Sequence, residues 1–129
     1  MDKIKVLLVD DEPDFIELMG MRVRDWGYEL IKASSGKEAL ARQKDNKPDI
    51  IVLDYMMPEM DGIATLKRIR AADKNIPVIM FTAYPATKVM EEAEKLGVSS
   101  FIPKLSAYTD VAMSLRAAID MAVKNISGK

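Results

Sequence analysis

A chain of 129 residues, 49% hydrophobic and 30% charged, has the size of one compact domain and enough apolar material for a packed core, which excludes a two-domain enzyme and intrinsic disorder. Nineteen Lys+Arg against twenty Asp+Glu leave a formal charge of -1, without the cation excess that a direct nucleic-acid partner requires. With no Cys and no His, thiolate nucleophiles, disulfides, imidazole metal sites and the commonest general base are all absent, so any chemistry runs on carboxylates, hydroxyls and amines.

The opening residues lead into an apolar run, Ile4 to Val9, that is too short to span a membrane and carries no signal-peptide cleavage site. A cytoplasmic location without membrane insertion is therefore expected. That run reads as a first strand covered on both faces. Pro13 then suits a first helical turn, with Phe15, Leu18, Met19, Val23 and Trp26 expected inward until Gly27 stops the helix. Tyr28 to Ala33 carries Glu29 and Lys32 among apolar residues and reads as an edge strand. Ser35 and Glu38 match a capping box that opens a short helix reaching about Asp45.

Ile50 to Leu53 is a third, central strand, and Asp61 can cap a helix that turns Ile63, Leu66 and Ile69 inward. Val78 to Phe81, bounded by Pro77 and Thr82, is a fourth strand. Val89, Met90, Ala93 and Leu96 mark a helix that ends at Gly97, and Val98 to Ile102, with Ser99 and Ser100, is the second edge. A last helix from about Ser106 to Lys124 places Tyr108, Val111, Ala112, Leu115, Ala118, Ile119 and Ala122 on one stripe. Right-handed crossovers between these units predict a single domain over residues 1–129 of the α/β class: a flavodoxin-like (βα)5 sandwich on a five-stranded parallel sheet, strand order 2-1-3-4-5.

Ligands of such open sheets bind beyond the carboxyl ends of the strands. The first strand ends in Asp10 and Asp11, the third in Asp54 and the fourth in Thr82 and Ala83, and the fifth is followed by Lys104. An Asp pair after a strand also serves as a helix cap or an Asx turn, and an isolated Lys is an ordinary surface cation, so no one residue decides. Jointly, three carboxylates in a partly desolvated crevice repel one another unless a hard divalent cation joins them, and oxygen-only donors point to Mg2+.

Val9-Asp10-Asp11-Glu12-Pro13, the stretch from Leu53-Asp54-Tyr55-Met56 to Asp61-Gly62, Phe81-Thr82-Ala83 and Phe101-Ile102-Pro103-Lys104 together resemble the motifs of two-component response-regulator receiver domains, in order and over essentially the whole chain. The resemblance implies that Asp54 accepts a phosphoryl group from a histidine kinase or histidine phosphotransfer protein. It implies that Asp10, Asp11 and Asp54, with the Met56 carbonyl, hold Mg2+, and that Lys104, Thr82 and the Ala83 amide contact phosphate. It further implies a switch in which Thr82 moves inward and the Phe101 ring fills the vacated space, altering the surface of helix four, strand five and helix five for an unnamed downstream protein. On that surface Lys88, Glu91, Glu92, Lys95 and Tyr108 are expected to be exposed.

Met56 and Tyr84 flank the phosphoacceptor position, and neither side chain orients an attacking water well, so slow self-hydrolysis is expected. Leu105 follows Lys104 where the family commonly has Pro after a cis peptide bond, which leaves the lysine's approach open. Docking of the kinase is expected on helix one and the loop after strand five, with Asp14, Glu17 and Ser106 as candidates. The ten methionines are dispersed, and several fall on apolar stripes as gap-filling core, which argues against a metal site. Two other readings compete. A haloacid-dehalogenase-like phosphatase also uses an aspartate nucleophile, but it resembles Asp-x-Asp rather than the tandem Asp10-Asp11 and carries a cap segment. A receiver fold that binds partners without phosphorylation is the alternative from the binding class.

Overall fold

A computed structural model describes residues 3–83, 86–104 and 108–127, with the side chains of 108–110 and 127 outside the description. Five strands alternate with five helices: β1 (Lys5–Val9), α1 (Pro13–Asp25), β2 (Glu29–Ala33), α2 (Gly36–Asn46), β3 (Ile50–Asp54), α3 (Gly62–Ala72), β4 (Val78–Thr82), α4 (Thr87–Lys95), β5 (Ser100–Pro103) and α5 (Tyr108–Ser127). All neighbouring strands pair in parallel, in the order β2-β1-β3-β4-β5. The expected architecture and strand order are therefore found. The strands with polar interruptions, β2 and β5, are the two edges.

Strand side chains alternate with period two, and the alternation sorts the core into two layers. Leu7, Val9, Ile51, Leu53, Val78 and Met80 meet α2, α3 and α4 on one face of the sheet. Val6, Leu8, Ile50, Val52, Ile79 and Phe81 meet α1 and α5 on the other. With both faces covered, the central strands are buried throughout, which is why their sequences read as continuous apolar runs.

Several inward assignments need correction. The buried stripe of α1 is Ile16, Met19, Gly20 and Val23, while Leu18 is exposed. The cause is Gly20, where a Cβ would lie 2.8 Å from Leu30 Cδ2, so α1 approaches β2 closely there and turns Leu18 outward. On α4 only Val89 and Ala93 are buried and Met90 is exposed, because nine residues offer a narrow stripe. The methionines divide between core and surface. Met19, Met57 and Met80 are buried, but Met21, Met56, Met90, Met113 and Met121 face solvent.

The fifth strand begins at Ser100 rather than Val98, since Gly97 at φ +73° turns the chain and Ser100 is the residue in register with Ile79. Asp54 closes β3, as expected. The α2 cap forms as expected at Ser35, whose hydroxyl accepts from the Glu38 amide at 3.1 Å, although the Glu38 carboxylate reaches back to the Ser34 amide. Among the described residues, no helix is long and apolar enough to cross a membrane.

Candidate functional site

The carboxyl ends of β1, β3 and β4 lie side by side, and each delivers one polar side chain into the interior: Asp10 and Asp54, 0% and 3% exposed, and Thr82, also buried. Local geometry fixes both carboxylates. Asp10 Oδ1 accepts from the Glu12 amide at 2.8 Å, closing an Asx turn immediately before α1. Asp54 Oδ1 accepts from the Met56 amide at 3.3 Å. The loop after β3 then folds back on its own strand, where the Gly62 amide donates to the Tyr55 carbonyl at 2.8 Å. A Cβ on Gly62 would stand 2.5 Å from the Asp54 carbonyl oxygen, so only glycine fits there.

Lys104 arrives from the far side. Its amide donates to the Thr82 carbonyl at 2.6 Å, pinning the end of β5 to the end of β4. From that anchor the side chain crosses the strand ends, and Nζ lies 3.1 Å from Asp10 Oδ2, 3.3 Å from Glu12 Oε1 and 3.9 Å from Asp54 Oδ2. Beneath it stand the Phe15 and Phe81 rings.

Two carboxylates in one buried corner are electrostatically costly. Burial pushes Asp54 up to about 7, and the Asp10 charge adds to the effect, while Lys104 and the Met56 amide oppose it. Asp10 is likewise raised by burial, against the pull of the Glu12 amide and Lys104. Burial disfavours the Lys104 ammonium, but Asp54 and Asp10 together outweigh it and hold the cation more firmly than in water. One amine thus partly neutralises a corner that needs more positive charge than it has.

The carboxylate oxygens that lie within 4.8 Å of one another belong to Asp10, Glu12 and Asp54. Asp11 is exposed, beside a cavity of about 440 Å³ lined with Tyr55, Met56, Met57, Pro58 and Asp61, yet near enough to Asp54 to raise its pKa. Of the expected donors, Asp10 and Asp54 fall in this cluster and Asp11 does not, while Glu12 joins it because the Asx turn brings it back over Lys104, which no local sequence signal shows. The hard, oxygen-only donor set, with Asp54 raised by burial and by Asp10, and Asp10 raised by burial and by Glu12, fits a divalent cation such as Mg2+.

Ala83 follows β4 and is exposed, and the Met56 side chain is 53% exposed beside the site. Phe101 is half-buried on β5, in register with Met80, and packs on the core layer that includes Val89 and Ala93 of α4. Lys88, Glu91 and Lys95 are exposed as expected, whereas Glu92 is half-buried. Asp14 and Glu17 are exposed on α1. Tyr84, Leu105 with its peptide bond, Ser106 and the Tyr108 side chain lie outside the described residues.

The sequence profile of the response regulator receiver domain matches residues 6–116. The transcriptional regulatory protein ZraR of Escherichia coli (strain K12) is 36% identical over 118 residues, 92% of this chain and 27% of that protein, so the chain spans about a quarter of that relative's length. Sporulation initiation phosphotransferase F of Bacillus subtilis (strain 168) is 36% identical over 100 residues, 78% of this chain and 81% of that protein. A chain in the crystal structure of the CheX-CheY-BeF3-Mg+2 complex from Borrelia burgdorferi superposes with a TM-score of 0.80 at 30% identity, covering 98% of this chain and 90% of that one.

Proposed function

Because this chain belongs to the response-regulator receiver family, we propose that it is an aspartyl phosphoacceptor: Asp54 takes a phosphoryl group from the phosphohistidine of a histidine kinase or histidine phosphotransfer protein, in the cytoplasm, as one receiver domain over residues 1–129. The observation that carries this reading is the convergence of two buried carboxylates, Asp10 and Asp54, on the nearly buried Lys104 ammonium. The phosphotransferase among the relatives, and the BeF3 and Mg+2 of the Borrelia complex, are consistent with it.

Asp54 Oδ1 is engaged by the Met56 amide, so Oδ2, which faces Lys104, is the nucleophile. A bond forms from Oδ2 to phosphorus while the phosphorus–nitrogen bond of the donor breaks in line, and the imidazole leaves with the electron pair and takes up a proton. Asp10, Asp11 and Asp54, with the Met56 carbonyl, would hold Mg2+, which when bound supplies positive charge against the phosphoryl oxygens. Lys104 moves from its carboxylate partners onto a phosphoryl oxygen, and the Thr82 hydroxyl and Ala83 amide contact the others.

Pulling Thr82 toward the phosphoryl group opens space into which the half-buried Phe101 ring can turn, and Phe101 shares its packing with α4. The consequence reaches the α4-β5-α5 surface. The domain promotes its own phosphorylation and dephosphorylation without turning over a diffusible substrate, and Met56 and Tyr84, lacking a group that orients water, keep the acyl phosphate long-lived.

Incubation with acetyl phosphate and Mg2+, borohydride reduction of the acyl phosphate and peptide mapping test the assignment. Conversion confined to residue 54, lost on chelation, is expected. Modification elsewhere, or unchanged labelling in an Asp54→Asn variant, contradicts it.

A further inference from the structure

The Lys104 ammonium lies 4.1 Å from the centroid of the Phe15 ring and 5.0 Å from that of Phe81. The two rings stack on each other, with centroids 5.2 Å apart and planes inclined by 24°. Phe81 is a buried residue of β4, whereas Phe15 is a half-buried residue in the first turn of α1. The pair therefore forms a shelf that joins the sheet to α1 directly under the cation. We propose that Phe15 is a positioning residue for Lys104: backed by Phe81, it holds the ammonium beside Asp54 when the carboxylates that restrain it are engaged elsewhere. The proposal rests on the reading of Asp54 as phosphoacceptor.

The present restraints on Lys104 do not survive loading of the site. Its shortest ion pair is to Asp10 Oδ2, an oxygen of the proposed metal-binding set. Once Asp10 serves a divalent cation, that bond is lost and the two cations repel each other. Glu12 is 66% exposed, and an ion pair so open to water restrains a lysine weakly. Asp54 stands at 3.9 Å, outside hydrogen-bonding range.

The ring faces are different. Their attraction for a cation comes from the π quadrupole, which a metal ion bound to carboxylates neither occupies nor neutralises. They also keep water from one side of the ammonium, so that its pull on an arriving phosphoryl oxygen is less screened. An aliphatic side chain at position 15 would fill the volume without supplying the attraction.

The test compares Phe15→Leu and Phe15→Tyr with the parent protein, using acetyl phosphate as donor at saturating Mg2+. The leucine variant is expected to take up phosphate about five- to tenfold more slowly, within the range for a partly desolvated cation–π contact. The tyrosine variant, which keeps the π face, should stay within about twofold of the parent. Calorimetry should give the same Mg2+ affinity for all three.

A second readout needs no phosphodonor. The Lys104 Hε protons should show an upfield ring-current shift by NMR in the parent with Mg2+ present, and lose it in Phe15→Leu. A leucine variant as fast as the parent, a tyrosine variant as slow as the leucine one, or a ring-current shift that vanishes when the parent binds Mg2+ would each overturn the proposal. If the parent takes up no phosphate at all, the phosphoacceptor reading fails, and the NMR shift alone still decides whether the shelf holds Lys104.

Discussion

Asp54 carries the tension of the molecule, being buried, close to Asp10, and held up to about 7 by burial first and the Asp10 charge second. A carboxyl whose pKa is higher in the folded protein than in the unfolded chain binds its proton more tightly when folded, so its stabilising effect is full below the ordinary carboxylate range and is lost as pH rises through about 7. The metal-free protein should accordingly lose on the order of 2–3 kcal/mol of stability between about pH 5 and about pH 8, a slope that urea titrations can read. Asp54→Asn should flatten it, and saturating Mg2+, which binds the ionised carboxylates, should offset it. An equally steep slope in the asparagine variant would place its origin elsewhere. Lys104→Met is expected to destabilise the metal-free protein by about 3 kcal/mol, because it leaves Asp10 buried beside Asp54 without their cation; unaltered thermal stability in chelator would argue against that pairing.

At the level of the elements, the turn after β3 is what aims Asp54. Gly62→Ala forces a methyl group against the Asp54 carbonyl and should cost about 1–3 kcal/mol in stability while weakening Mg2+ binding, as denaturation and calorimetry would report. If both quantities match the parent, the close approach is not what sets the strand end. Helix α1 leaves Leu18 and Met21 exposed, 51% and 56%, on the element that starts next to the site. Paired apolar side chains on a helix that starts next to the candidate site suit a protein donor and are irrelevant to a small one. Leu18→Asp should slow transfer from a phosphohistidine protein about tenfold and leave the rate from acetyl phosphate within error. Equal slowing with both donors would relocate the effect to the chemistry.

The elements themselves were legible, because strands covered on both faces must be continuously apolar and helices must keep one buried stripe. Leu18 misled because the sequence does not announce that Gly20 lets α1 settle onto Leu30. The start of β5 misled because the pairing of Ser100 with Ile79, not local composition, sets where the ladder begins.

Taken whole, the fold brings together residues separated by up to 94 positions, and the site exists only where the ends of β1, β3, β4 and β5 meet. Asp10, Asp54, Thr82 and Lys104 could be read in advance because strand order alone places them in one corner. Glu12, Phe15 and Phe81 could not, since their roles depend on where the Lys104 side chain lies after it crosses the sheet. Under the proposed function, the same corner would link inward chemistry to an outward face through Thr82 at the end of β4 and Phe101, which packs on the layer that includes α4. Most directly decisive is the intact mass of the protein after exposure to acetyl phosphate, recorded with Mg2+, with chelator and for Asp54→Asn. A gain of one phosphoryl group in the first sample and none in the other two is the predicted result; a gain that persists without the metal or without the Asp54 carboxylate would contradict the central claim.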